Sequence, residues 1–224
     1  FRMNTVAETM VPRLIAAGHE AALATVAEVL EAEHEARWDR RVGRLLRASK
    51  LPPAKTLDSL DLDRLPLPLS RRLRELATGE FLSRAVNVLA FGLPGTGKSH
   101  AAAALGHALV EAGHPVLYAP TYRLVQQLLV AKRDLELPRL LRKLDAFDLI
   151  ILDDIGYVQQ TQDEAEVLFT LMAERYERRS LMLTSNLVFS KWEQVFRIPM
   201  TTAAAIDRLV HHSVILEFSV DSYR

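Results

Sequence analysis

The sequence predicts an α/β protein, a parallel five-stranded sheet flanked by helices, with a small helical domain in front of it. Three observations carry this. From Asn87 onward, short apolar runs alternate with helix-forming stretches, the pattern of consecutive strand–helix units. One of those runs, Asp148-Leu149-Ile150-Ile151-Leu152, is apolar without alternation, as a strand buried on both faces requires. Residues 4 to about 50, by contrast, read as helical.

In order, Thr5 or Thr9 is placed to cap a first helix, with Pro12 near its first turn, and Gly18 separates it from a longer helix beginning near Glu20. Residues 51–86 form a connector broken by Pro52, Pro53, Pro66 and Pro68. Within it Thr56–Leu60 reads as extended or turn, and Ser70 as the cap of a helix running to about Val86. The expected strands are Asn87–Phe91, Val116–Ala119, Asp148–Leu152, Ser180–Thr184 and Ser213–Phe218. Helices fill the intervals: one from the glycine loop to a C-cap at Gly113, one over Thr121 to about Asp134, and a short one from Pro138 to about Asp145. Another runs from Gln162 to about Arg178, and helical pieces surround Pro199. The expected organisation is a helical domain over 1–50, a connector over 51–86 and an α/β core over 87–224, with no separate C-terminal lid.

Composition narrows the function classes. The chain has 224 residues, 49% hydrophobic and 25% charged, enough for a sizeable core. Acidic and basic residues balance at 28 each, so any polyanion binding must come from local clusters. There is no cysteine, which excludes disulfides and cysteine metal sites. No apolar run approaches the ~20 residues of a membrane span, and no signal peptide is visible, so a cytoplasmic protein without membrane contact is expected. The chain opens at Phe1 rather than at a methionine, which points to missing residues before it.

The sharpest motif is Gly92-Leu93-Pro94-Gly95-Thr96-Gly97-Lys98-Ser99, which fits the phosphate-loop pattern G-x-x-x-x-G-K-[ST] at every fixed position. A strand-like run precedes it and an alanine-rich helix follows, the context the motif needs. Glycines let backbone N–H groups face phosphates, and the helix start adds the positive end of its dipole. Gly92, Pro94, Gly95, Thr96, Gly97, Lys98 and Ser99, with His100 opening the helix, are therefore candidate contacts for ATP. Lys98 places a charge on the β- and γ-phosphates, and the Ser99 hydroxyl suits Mg²⁺.

Ligands of an open α/β sheet lie beyond the carboxyl ends of its strands. Asp153 emerges there, placed to hold the same Mg²⁺ directly or through water, and Asp154 beside it either orients or deprotonates an attacking water or caps the turn at Ile155-Gly156. Asn186, after the fourth strand, is a neutral group able to hold that water, or a turn residue. Arg208 follows Asp207 and Arg224 follows Asp221, as surface ion pairs or as phosphate sensors. Arg37, Arg40, Arg44 and Arg47 recur at helical spacing and form a candidate stripe for a DNA backbone; acids early and bases late on that helix also suit its macrodipole. Lys132, Arg133, Arg139, Arg142 and Lys143 form a second basic set, with a solvated face as the default reading.

Taken together, the phosphate loop, Asp153-Asp154-Ile155-Gly156-Tyr157, Thr184-Ser185-Asn186-Leu187 with Ser190-Lys191-Trp192, Asp207-Arg208-Leu209-Val210-His211-His212 and Ser222-Tyr223-Arg224 resemble the IstB-type ATPases. These are AAA+ helpers of bacterial insertion sequences, related to the DnaC helicase loaders. Lys55-Thr56-Leu57 and Arg71–Ala77 match as well; residues 1–30 barely do. The resemblance implies an AAA+ P-loop core and an ATP-dependent oligomer on double-stranded DNA that recruits or stimulates the DDE transposase of the same insertion sequence. It implies Asp153 as the metal residue, Asp154 as the hydrolytic carboxylate, Asn186 as first sensor, Arg208 as arginine finger and Arg224 as second sensor. Many AAA+ proteins carry glutamate where this chain has Asp154, which shortens the reach to the water. A helicase loader is the alternative, and a small-molecule kinase a third reading, lacking a visible acceptor pocket or arginine-bearing lid.

Overall fold

The computed structural model describes residues 4–156, 161–187, 191–192 and 199–219. The chain divides into two compact units, Phe1–Arg44 and Leu45–Arg224.

In the first unit α1 (Asn4–Ala16) is separated from the start of α2 (Ala21–Ser49) by Gly18. Its φ of 72° lets the chain close the helix end, with the His19 N–H donating to Leu14 O at 2.9 Å. Pro12 sits inside α1 rather than in its first turn, contrary to the sequence expectation. α2 stops where the Ser49 hydroxyl donates to Leu46 O and accepts from the Leu51 N–H, with Lys50 at φ 57°.

The connector folds as part of the second unit. A 3₁₀ turn at Leu62–Arg64 leads into α3 (Leu67–Ala77). This helix starts three residues before the expected cap. Pro68 lies in its first turn, where a missing N–H costs nothing, and Ser70 is already inside, its hydroxyl donating back to Leu67 O. It also ends early, because Gly79 takes φ 80° and passes so close to His114 that a Cβ there would lie 2.8 Å from Nε2. A 3₁₀ turn over Glu80–Arg84 covers the rest of the expected helix.

The core is a parallel sheet of β1 (Asn87–Gly92), β2 (Val116–Pro120), β3 (Leu149–Ile155), β4 (Ser180–Ser185) and β5 (Ser213–Phe218), in the order β2-β3-β4-β1-β5. The helices are α4 (Lys98–Glu111), α5 (Thr121–Arg133), α6 (Leu137–Leu144), α7 (Gln162–Arg175) and α8 (Pro199–Val210). α7 stops at Arg175, three residues short of expectation. Its start follows the sequence: Thr161 and Glu164 make a reciprocal capping box.

Alternate strand residues point to opposite faces, and each face has its own cover. Leu89, Leu117, Ile150, Leu152, Leu181 and Leu183 join Leu124, Val125 and Leu128 of α5 and Leu168, Leu171 and Met172 of α7 in one buried cluster. The other face packs on α4, whose Ala101–Ala104 are fully buried. Small residues let that helix approach closely: a Cβ on Gly106 would come within 3.0 Å of Ile151 Cδ1 and 2.7 Å of Leu51 Cδ2.

The N-terminal ends of the strands are tied together by two buried polar side chains. Arg175, 2% exposed, donates to four carbonyls, those of Leu144, Phe147, Asp148 and Ser180, at 2.8–3.3 Å. Burial lowers its pKa to about 10, which still leaves it charged at neutral pH. Asn87 donates from Nδ2 to Leu209 O at 3.2 Å and accepts at Oδ1 from the Leu181 N–H at 2.9 Å, joining α8 and β4 to β1.

Candidate nucleotide-binding site

The strand order decides what meets at the carboxyl edge. β4 lies between β1, which feeds the phosphate loop, and β3, which carries Asp153 and Asp154. Asn186, one residue past β4, therefore emerges between the loop and the two aspartates. Pro94, Gly95, Gly97, Lys98, Ser99, His100, Asp154 and Asn186 line one open cavity of about 740 Å³. That volume lies within the range of ligand clefts, about 300–1,000 Å³.

In the loop, Gly95 and Gly97 take φ of 85° and 95°, the left-handed region where a side chain would be strained. Gly92 is needed for space as well: a Cβ there would sit 2.5 Å from Phe218 O. The Thr96 hydroxyl turns inward to donate to Leu93 O at 2.9 Å, bracing the loop. Lys98 is 7% exposed, and its ammonium donates to Gly92 O and Leu93 O at 2.8 Å each. Burial lowers its pKa, while Asp154 and then Asp153 act to raise it. It is thus a cation buried against neutral carbonyls, a state that an anion at the loop would favour.

Asp153 and Asp154 are presented by a bulge. The β3–β4 register slips between Leu152 and Ile155, so Asp153-Asp154 face the single residue Thr184. The buried Thr184 hydroxyl repairs the ladder: it accepts from the Asp154 N–H at 2.8 Å and donates to Asp153 Oδ1 at 2.6 Å. Asp154 takes φ 67°, which turns it out of the strand and into the cavity. The other Asp153 oxygen accepts from the Tyr118 hydroxyl, and Thr121 donates to Asp153 O at 2.8 Å. Burial, and then the neighbouring Asp153 charge, push the Tyr118 pKa up, so the phenol stays a donor. Burial and Asp153 also raise the Asp154 pKa, with Lys98 opposing them. Asn186 contributes the complementary vacancy in hydrogen bonding: its buried Oδ1 has no partner among the described residues.

The remaining sequence candidates divide. Gly92, Thr96 and Asp153 shape the site from behind the cavity wall. His100 lines the cavity with its ring engaged by the connector, Nε2 lying 2.9 Å from Ser59 Oγ and 3.3 Å from Thr56 O. Arg208 does not line this cavity. It lies on α8, 4.7 Å above the Phe169 ring of α7, with one buried guanidinium nitrogen unpartnered among the described residues. Arg224 lies outside the described residues.

Of the basic sets, Arg37 and Arg40 pair with Glu33 on their own helix. Lys132 meets Glu166 and Asp163 of α7, Arg133 meets Asp134 and Arg139 meets Glu136. Arg44, Arg47, Arg142 and Lys143 are exposed without an acidic partner among the described residues.

Sequence reasoning missed the connector's part. Lys55, Ser59, Leu60, Asp61 and Arg64 complete the cavity wall. The available signal was a polar cluster between prolines, on a segment that read only as extended or turn. It also missed Tyr118 and Thr184 as the groups that orient Asp153, since nothing local distinguishes a strand tyrosine or threonine with that duty.

A family model described as IstB-like ATP binding protein matches residues 4–224. An insertion-sequence ATP-binding protein of Sinorhizobium fredii is 50% identical over 196 residues, covering 86% of this chain and 66% of the relative's own length. The ATP-binding protein of insertion sequence IS21 from Pseudomonas aeruginosa is 40% identical over 195 residues, covering 87% of this chain and 74% of the relative. Among solved structures, the DnaC helicase loader superposes with a TM-score of 0.59 at 16% identity, covering 67% of this chain and 88% of that one. The fold is therefore the AAA+ P-loop core, and no helix among the described residues is long and apolar enough to cross a membrane. The chain belongs to the IstB-like family of ATP-binding proteins.

Proposed function

We propose that this chain is an ATP-dependent helper of transposition. It binds Mg·ATP at the cavity, assembles with further copies on double-stranded DNA in the cytoplasm, recruits or stimulates the transposase of its insertion sequence, and hydrolyses ATP to reset the complex. The observation that carries the reading is the convergence of Lys98, Ser99, Asp154 and Asn186 on one cavity, in a chain whose relatives are named as insertion-sequence ATP-binding proteins.

The residues present fit the ligand. Lys98 is a buried cation at a glycine loop, and Asn186 offers a buried polar atom without a partner. Ser99 would hold Mg²⁺ from the cavity, and Asp153, behind the cavity wall with its two carboxylate oxygens accepting from Thr184 and Tyr118, would reach it through water; the ion would supply charge to bridge the phosphates. Lys98 leaves the loop carbonyls to meet the β- and γ-phosphates. Asp154, turned outward by the bulge, accepts a proton from the attacking water, and Asn186 holds that water without adding repulsive charge. Arg208 stands apart from its own chain's cavity, which supports its service to a neighbouring copy as an arginine finger. Arg44, Arg47, Arg142 and Lys143, exposed and without acidic partners among the described residues, are the first choices for phosphate-backbone contacts; Arg37, Arg40, Lys132, Arg133 and Arg139 must first give up theirs.

The test is particle size on a DNA duplex, by light scattering or electron microscopy, with ATP, ADP or neither. Large ordered particles only with ATP and DNA are expected. A monomer under every condition overturns the reading, and copurification with a replicative helicase would redirect it to helicase loading. Mixing an Arg208→Ala chain with a Lys98→Ala chain should restore part of the hydrolysis that each lacks alone; no recovery removes the finger in trans.

A further inference from the structure

At the edge of the sheet away from the phosphate loop, two turns bring together side chains that the nucleotide chemistry does not use. Glu177 lies in the turn between α7 and β4, and His211-His212 in the turn between α8 and β5. Each offers one ligand atom, and the three atoms lie within 4.8 Å of one another. His212 Nε2 is 4.0 Å from Glu177 Oε1, and the two imidazoles meet edge to face with centroids 4.3 Å apart. His211 Nδ1 lies 3.2 Å from the Tyr176 hydroxyl.

We propose that Glu177, His211 and His212 form a binding site for one divalent transition-metal ion of the zinc type. Two imidazoles and a carboxylate are the donors that suit Zn²⁺ and its neighbours; Mg²⁺ prefers oxygen ligands and keeps its waters. Four-coordinate zinc with bonds of about 2.0–2.2 Å sets its ligand atoms roughly 3.4 Å apart. All three residues are exposed; the two imidazoles touch each other and His211 lies beside the Tyr176 ring, so drawing the ligand atoms together by about 1 Å takes rotations about these contacts. The Tyr176 oxygen is placed to accept from His211 Nδ1–H, which leaves Nε2 with its lone pair for the ion. Metal-bound histidines commonly hold their second ring nitrogen in this way. Three protein ligands leave a position for water, so the site is open and exchangeable.

This ion is separate from the one expected with the nucleotide. The cluster flanks Ser180 and Ser213, the first residues of β4 and β5, whereas Gly92 and Asn186 come at the far ends of β1 and β4. Six-residue strands put roughly 20 Å between the two edges. When bound, the ion joins the α7–β4 turn to the α8–β5 turn, one helical turn from Arg208. The inference does not depend on the ATPase reading.

The test uses the full chain without a histidine tag, stripped with a chelator and titrated with ZnCl₂ against a chromogenic competitor. Co²⁺ serves as a spectroscopic probe. One ion per chain with micromolar or tighter affinity is expected, with the visible absorption of a four-coordinate Co²⁺ site. H211N/H212N should lose the site and E177Q should weaken it by about 10-fold or more. H114N, which alters another histidine–acid pair on the same edge (His114 with Asp148), should leave it intact. All variants are checked for an unchanged circular-dichroism spectrum and thermal midpoint in the absence of metal, which shows that the fold survives. Several weak ions per chain, or equal affinity in H211N/H212N, overturns the proposal as adventitious surface binding.

Discussion

The two edges of the sheet are both rich in buried polar groups, and they use them in opposite ways. At the amino edge most of the groups turn onto backbone, although Arg175 Nε and Ser180 Oγ have no partner among the described residues. Arg175 meets four carbonyls and Asn87 bridges two chain segments, so those polar atoms hold turns and strand starts together. At the carboxyl edge the groups stop short of closure. Lys98 rests on its own loop, Asn186 Oδ1 has no partner among the described residues, and Asp154 is pushed into the cavity by a bulge. Hydrogen-bonding capacity spent on backbone builds the frame, and capacity held open at a cavity builds a site. Both edges draw on the same residue types, so residue type alone does not separate structure from chemistry.

The comparison can be broken most severely at Lys98. Lys98→Ala should lower ATP hydrolysis by about 10²–10³-fold, the cost of deleting a charge aimed at the transferred group. Phosphate release measures it, and thermal stability should stay near that of the unaltered chain. Arg175→Met is the opposite case. Four carbonyls lose their donor, which should cost about 2–4 kcal/mol of stability in urea unfolding, while the folded fraction keeps its affinity for an ATP analogue. A loss of affinity without a loss of stability would dissolve the distinction between the two edges.

Thr184→Val sharpens it, because Thr184 belongs to both kinds. Nearly isosteric, the change strands the Asp154 N–H and one Asp153 oxygen, at about 1–3 kcal/mol. Hydrolysis should fall more than analogue binding; an equal fall in both would mark Thr184 as merely structural. Asp154→Asn gives the smallest effect on stability, and its sign is distinctive. Burial and Asp153 raise the Asp154 pKa in the folded chain. The folded state then holds its proton more tightly than the unfolded state, so ionising Asp154 costs stability as pH rises through its folded pKa. Asp154→Asn should therefore raise the thermal midpoint slightly at neutral pH, with the gain vanishing in acid below the unfolded pKa. It should also abolish hydrolysis while sparing ATP binding. A lower midpoint at neutral pH would contradict the pKa direction.

Much of the site was legible before the fold was known. The glycine loop and Lys98-Ser99 form a contiguous motif whose chemistry is local, and Asp153-Asp154 closes an apolar run that reads as a central strand. Boundaries failed where tertiary contacts overrode local signals. Ser70 looks like a helix cap, yet Pro66 and Pro68 start the helix earlier, and Gly79 ends it against His114. The connector's share in the cavity was not legible, because Lys55, Ser59, Asp61 and Arg64 reach the loop only when the chain folds back on α4. Arg208 was named from its motif, but only the packing on Phe169 separates it from its own chain's cavity.

By itself, then, the sequence determined the alternation of strands and helices, the phosphate loop and the identity of the two acids. These follow from periodicity and from backbone freedom, which act within a few residues. The tertiary structure decided that β4 lies between β1 and β3, and so that Asn186 stands between loop and acid. It also decided that Thr184 sits opposite a two-residue bulge and turns Asp154 outward. Strand order and register join residues some thirty to ninety positions apart, and no local propensity encodes that pairing; it is set by which faces bury together.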